Sequence, residues 1–228
     1  MNIAVIIPAF NEENSIAHVV RDIPTHVQEI IVCNNGSTDN TVANAKAAGA
    51  TVLTENKPGY GNACLKGMAY LEAKPKQQQP DVVVFIDGDY SDYPEELDKL
   101  VLPIKKQNID LVIGTRALGE RAKGSMTPQQ VFGNWLATKL MKLFYGANFT
   151  DLGPFRAIKW QKLLDLNMQD KTYGWTIEMQ IKALKQKYSY TEVPVTYRKR
   201  IGVSKVSGTV KGTILAGYKI IATIFKYL

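Results

Sequence analysis

The stretch VVVFIDGDYSDYP, Val82 to Pro94, follows an apolar run with three acidic residues, Asp87, Asp89 and Asp92. Uncompensated negative charge at the end of a buried strand is costly, so the arrangement calls for a partner. Asp87 and Asp89 flank Gly88. In an extended chain the two acids point the same way, and the glycine lets the backbone pass close to a ligand. Two carboxylates so spaced can share one divalent cation, Mg²⁺ or Mn²⁺, whose remaining ligands are substrate phosphate oxygens. The competing reading is a solvated turn in which Asp89 or Ser91 caps a helix at Pro94. Asp92 is expected to be a turn or helix-start residue on either reading.

Working outward, IAVIIPA, EIIVCNN, ATVLTEN and DLVIGTR are further short Val- and Ile-rich runs that end in polar residues or glycine. They read as buried strands. Helical segments are predicted between them at Glu13–Asp22, Asp39–Ala48, Gly61–Ala73 and Pro94–Gln107, each behind a polar or proline start. This alternation predicts an α/β fold, a mostly parallel central sheet with helices on both faces. Such sheets bind ligands at the carboxyl ends of their strands. Beyond Arg116 come a polar, basic loop candidate at Gly119–Gln130, the apolar helix-like VFGNWLATKLMKLFYG, and TDLGPFRAI. A helical stretch from Trp160, the helix YGWTIEMQIKALKQ, a strand near TEVPVTYRKR and a helical tail follow. KPKQQQP reads as a solvated linker.

A chain of 228 residues with 45% hydrophobic and 21% charged content is ordinary for a folded protein with one sizeable core. Lys and Arg outnumber Asp and Glu by 28 to 21, which points to an anionic partner without choosing among phosphate, nucleic acid and lipid headgroups. A nucleic-acid-binding module fits the charge poorly, because acidic strand ends repel phosphate unless a metal intervenes. Cys33 and Cys64 lack metal-ligand spacing and are expected to be buried free thiols in a reducing compartment. The run Ile3–Phe10 lacks the basic flank and the length of a secretion signal, which suggests a cytoplasmic chain.

The other strand ends add polar clusters. IIPAFNEENS opens a helix with acids at its positive end. VCNNGSTDNT puts hydrogen-bonding side chains around Gly36, and NKPGYGNACLKG offers glycines at a helix start that a nucleotide could approach. In this order PAFNE, VCNNGSTDNT, GYGNA and DGDYSDYPEE resemble the family-2 glycosyltransferases, over nearly the whole chain. That resemblance implies the GT-A nucleotide-sugar-binding fold. It places Pro8, Asn11, Glu12, Asn34, Asn35, Ser37, Gly61, Asp87, Gly88 and Asp89 around a nucleotide-diphosphate sugar, UDP- or GDP-linked. It makes Asp89 the principal metal ligand, with Asp87 and Ser91 beside it. Where the family usually has Asp-Asp before Gly-Ser, this chain has Asn34-Asn35, which leaves the choice of base open.

GTR, DLGPFRAI and YRKRIGVSK resemble the dolichyl-phosphate mannosyltransferase-like, polyprenyl-phosphate branch. By that resemblance Arg116, Asp151, Arg156, Arg200, Ser204 and Lys205 would surround the phosphates of donor and acceptor. The implied activity is metal-dependent, inverting transfer of a hexose to a polyprenyl phosphate, with Asp89, Arg116 and Glu178 as catalytic candidates. A hydroxyl acceptor with Glu178 as general base is the alternative. The expected organisation is a transferase domain over 1–207, divided into a nucleotide-binding half, 1–116, and an acceptor half, 117–207. Residues 208–228 follow as an amphipathic helix, for a membrane surface or for packing on the protein's own core or a partner chain. At 100° per residue its lysines, Lys211, Lys219 and Lys226, gather within roughly 80° of arc. Their number argues against a spanning helix and for one lying on an anionic membrane surface, on the cytoplasmic face.

Overall fold

The computed structural model describes residues 1–202 and 210–228. Its strands are β1 (Ile3–Ala9), β2 (Glu29–Asn34), β3 (Thr51–Thr54), β4 (Val82–Phe85), β5 (Leu111–Thr115), β6 (Arg156–Lys159) and β7 (Tyr190–Pro194). They form one seven-stranded sheet in the order β3-β2-β1-β4-β6-β5-β7. β1 pairs in parallel with β2 and β4, setting Pro8 opposite Cys33 and Ile6 opposite Phe85. β6 runs antiparallel to both neighbours. No strand was expected in TDLGPFRAI, because RAIK is four residues long and carries two charges. Its place is fixed by contact: a Cβ on Gly153 would lie 2.3 Å from the Gly114 carbonyl oxygen, and Gly114 N donates to Phe155 O at 2.8 Å.

The helices are α1 (Ile16–Asp22), α2 (Thr41–Ala47), α3 (Tyr60–Glu72), α4 (Leu97–Gln107), α5 (Pro128–Tyr145), α6 (Trp160–Asp165), α7 (Trp175–Lys185) and α8 (Val210–Lys226). α1 starts three residues later than predicted, because Glu12 and Glu13 are bonded sideways to the loop after β2 through Thr41 and Asp39. α5 is bounded as its sequence dictates. Thr127 and Gln130 form a reciprocal capping box ahead of Pro128, and Gly146 ends the helix in the left-handed region at φ 66°. The predicted linker holds a single 3₁₀ turn, Lys76–Gln78.

All four residues of β4 are buried, which explains its unbroken apolar run. Val83 and Phe85 face a core shared with α3 and α5–α8, while Val82 and Val84 face one shared with α1 and α4. Cys33 and Cys64 are free and buried as expected, and burial pushes the Cys33 thiol up to about 12. α8 packs on α5 and α7, with Thr223 and Ile224 buried. Among the described residues, no helix is long and apolar enough to cross a membrane.

Candidate active site

The carboxyl ends of β1, β2 and β4 open into a cleft of about 320 Å³ lined by Pro8, Glu12, Asn35, Asp87, Gly88, Asp89 and Arg200. Phe10, Tyr60 and Tyr173 complete its wall. This volume is at the small end of the range for small-molecule sites.

Asp87 and Asp89 come together as the DGD spacing predicts. Asp87 Oδ1 is buried without a hydrogen-bond partner, and burial, reinforced by the neighbouring Asp89 charge, pushes its carboxyl up to about 7. Asp89 Oδ1 accepts from Ser91 N at 2.9 Å and Ser91 Oγ at 2.5 Å. Its Oδ2 pairs with Arg200 Nη1 at 3.2 Å. Arg200 Nη2 also reaches Glu12 Oε1 at 3.1 Å. The orphaned oxygen on Asp87 and the ionic Asp89 suit a hard divalent cation. Among the described residues no three His, Cys, Asp or Glu side chains gather to hold a metal alone, so a cation here would draw its other oxygens from a bound diphosphate and water. Ser91, expected as a further ligand, is fully buried with its hydroxyl on Asp89, which suits it to orienting that carboxylate.

Asp92 departs from the expected turn residue. It lies just before the 3₁₀ turn Pro94–Glu96, but it is 1% exposed and neither carboxylate oxygen has a partner. Burial, then the charge on Asp87, hold its carboxyl well above the usual range. The strand-like pairing of this segment with the chain after β7, through Arg198 N to Ser91 O at 2.9 Å and Ile201 N to Asp89 O at 3.0 Å, encloses it.

The element after β2 turns inward on itself. Ser37 N donates to Asn34 Oδ1, Asn11 N donates to Ser37 Oγ, and Thr38 N donates to Asn11 Oδ1. Asn11, Asn34 and Ser37 therefore brace the loops behind the cleft. Asn35 does line it, but its amide is spent: Nδ2 donates to Glu55 O and Lys57 O, and Oδ1 accepts from Gly59 N at 2.7 Å. A carboxylate could not make the first two bonds, which gives the Asn its physical reason. Gly61 also serves the protein itself. A Cβ there would sit 2.0 Å from Asp170 O, and Asn62 N donates to Lys171 O, so the glycine admits the loop before α7 and not a nucleotide.

Arg116 and Asp151 form a forked pair, Nε to Oδ2 at 2.8 Å and Nη2 to Oδ1 at 2.6 Å. Glu192 in turn accepts from Thr150 N and Asp151 N, fixing the loop that carries the acid. Arg116 keeps some exposure and its guanidinium lies over the Tyr197 ring, 5.1 Å from its centre. Arg156 is fully buried and bonds the carbonyl oxygens of Leu152, Gly153 and Thr176. It organises the loop beside Asp151 and is not at a cleft wall. Glu178 is likewise fully buried. It accepts from Gln169 N, Asp170 N and Tyr227 Oη and pairs with Lys182, so it is committed to holding a loop and α8 and is no base for an acceptor hydroxyl. Ser204 and Lys205 lie outside the described residues.

A second cavity, about 430 Å³, adjoins Asp151. Val131, Trp135 and Phe149 supply its apolar wall, and Arg121, Lys139 and Lys142 its charge. The sequence reading missed Tyr60, Tyr173 and this cavity. Tyr60 could have been found between the two glycines of PGYG; Tyr173 and the cavity depend on contacts between distant segments.

A family model described as Glycosyl transferase family 2 matches residues 4–166. An uncharacterized glycosyltransferase of Mycobacterium tuberculosis is 32% identical over 216 residues, 94% of each chain. A dolichyl-phosphate hexose transferase of Haloferax volcanii is 31% identical over 210 residues, 90% of this chain and 86% of its own. In structure the chain is similar to glucosyl-3-phosphoglycerate synthase from Mycobacterium tuberculosis, solved with Mn²⁺, UDP and glucosyl-3-phosphoglycerate. The TM-score is 0.77 at 24% identity, covering 99% of this chain and 79% of that one, a likeness of GT-A fold.

Proposed function

The chain belongs to glycosyl transferase family 2 and is a glycosyltransferase, and from that premise we propose that it moves a hexose from a UDP- or GDP-linked donor to a polyprenyl phosphate. The carrying observation is the apolar, cation-edged cavity beside Asp151, next to the fixed guanidinium of Arg116. A prenyl chain needs the first and its phosphate the second. The name of the Haloferax relative points to the same acceptor class.

Donor binding falls to the cleft at Asp87 and Asp89, where Tyr60 and Tyr173 offer aromatic walls. The acceptor phosphate oxygen attacks the anomeric carbon in line. The new carbon–oxygen bond forms as the bond to the diphosphate oxygen breaks, with inversion. A phosphate oxyanion is already nucleophilic, so no general base is required, in keeping with the commitment of Glu178 elsewhere. Arg200, in the cleft wall, would face the charge that grows on the leaving diphosphate. A Mg²⁺ or Mn²⁺ ion held by Asp89 and Asp87 would supply further neutralisation there.

The test is a screen of UDP- and GDP-hexoses with Mn²⁺, with and without a short, water-soluble polyprenyl phosphate. Prenyl-phosphate-dependent release of nucleoside diphosphate with a glycosylated lipid product is expected. Equal or faster transfer to a soluble hydroxyl compound would overturn the acceptor assignment.

A further inference from the structure

We propose that the outward faces of α5 and α8 form a single surface that docks flat on an anionic lipid bilayer. Phe132, Trp135 and Leu143 on α5, and Ile214, Tyr218 and Phe225 on α8, are each between 51% and 73% exposed. The two helices are joined side by side. Phe144 meets Phe225 edge to face at 5.3 Å, and Tyr145 Oη donates to Ile224 O at 2.6 Å. Large side chains so concentrated on two adjoining helices make an apolar patch of the kind that marks an interaction site.

The orientation of α8 is informative. Its inward face packs Ile220 and Ile224 into the core beside the buried Thr223, and Lys219 on its flank pairs with Asp170 at 3.0 Å. Its outward face carries the bulk of Ile214, Tyr218 and Phe225. With an apolar stripe already turned inward, this second apolar stripe exceeds what covering the protein's own core requires.

Charge selects the occupant. Neither helix contains an Asp or Glu, and Lys139, Lys142 and Lys226 are exposed along them. Aromatic and aliphatic residues edged by lysine suit the headgroup boundary of an anionic leaflet. A second copy of the chain would bring like lysines together across an isologous interface. The surface also meets the acceptor cavity, since Trp135, Lys139 and Lys142 line that cavity. An acceptor carried in the bilayer would thus enter from the plane on which the protein rests.

This deepens the acceptor assignment but stands on its own exposure and charge, and the experiment separates the two. Flotation is compared on phosphatidylcholine vesicles with and without phosphatidylglycerol, for wild type and for the variant Phe132→Ser, Leu143→Ser, Ile214→Ser, Tyr218→Ser. Wild type should bind the anionic vesicles in a salt-sensitive way, and the variant should partition roughly tenfold less or weaker. The variant should keep its melting temperature and its transfer to the water-soluble prenyl phosphate. If wild type does not float, or the variant floats equally well, the surface is not a membrane face. A wild-type dimer that becomes monomeric in the variant, without vesicle binding, assigns the face to a second copy instead. Vesicle binding without prenyl-phosphate transfer keeps this inference and removes the acceptor assignment.

Discussion

Lys219 of α8 pairs with Asp170, in the loop before α7, at 3.0 Å, so the helix with the exposed apolar face is bonded to the loop that carries the cleft residue Tyr173. Asp170 also accepts from Thr172 N and Gly174 N, shaping the turn that presents Tyr173. Lys171 O receives Asn62 N at the start of α3. The tail was expected to lie on a membrane surface or to pack; its inner face packs, and Lys219 ties it to the loop that carries Tyr173.

Removing that link should therefore reach the donor. Lys219→Ala is expected to weaken nucleoside diphosphate binding severalfold, read by calorimetry with Mn²⁺ present. Tyr227→Phe, which deletes the bond to Glu178, should cost about 1 kcal/mol of stability. Unchanged affinity in Lys219→Ala would show that the loop holds its shape unaided.

Asp87 gives a pH dependence with a definite sign. Its carboxyl rises from an ordinary 3.8 to about 7 in the folded chain. Between those values the folded state holds a proton that the unfolded state has lost, so this group's contribution to stability falls as pH rises through that window. Asp87→Asn should make the ligand-free protein more heat-stable than wild type at pH 8, with the difference shrinking toward pH 5. The same variant should lose the stabilisation that Mn²⁺ and a nucleoside diphosphate confer together. A melting-temperature difference that does not vary with pH would contradict the assignment.

For Arg116 the geometry of the fork matters more than the charge. Arg116→Lys keeps the charge and loses the two-pronged contact with Asp151, and kcat should drop by roughly 100-fold. Asp151→Asn should give a smaller loss, since the guanidinium remains but is held less firmly. Steady-state kinetics with saturating donor distinguish the two.

Asn35→Asp would set a carboxylate against the carbonyl oxygens of Glu55 and Lys57. A destabilisation of about 1–3 kcal/mol is expected at neutral pH. It should lessen in acid, where the protonated Asp can donate one bond. Denaturant titration at two pH values measures both effects.

Glu178→Gln separates a scaffold from a base. An amide cannot accept from all the donors that converge on this carboxylate, so the melting temperature should fall. Transfer per folded molecule to prenyl phosphate should stay within a few fold. A collapse of kcat in a well-folded variant would restore the catalytic role.

The fold was legible where strands are buried on both faces and end in polar residues, because pattern and environment coincide there. β1, β2 and β4 follow IAVIIPA, EIIVCNN and DVVVFIDGD to within a few residues. β6 was not legible, since its pairing rests on the meeting of Gly153 and Gly114, 39 positions apart in the chain. Within the site, the acids and arginines were found by type, but direction escaped the sequence. Arg156 and Glu178 point into packed loops, Gly61 admits Asp170, and Asp92 is sealed by the chain beyond β7. Each of these depends on a segment far away in sequence, which local spacing does not encode.

Arg200, lying between Glu12 and Asp89, makes the ligand-free cleft its own counter-ion store. An incoming divalent cation would meet Asp89 and Glu12 already sharing one guanidinium, so its apparent affinity would be that of an exchange with the arginine. A diphosphate able to receive the displaced arginine would make that exchange favourable. Metal and nucleotide should for that reason bind as cooperative partners, each nearly silent alone, and Arg200→Ala should uncouple them by raising the affinity for Mn²⁺ by itself.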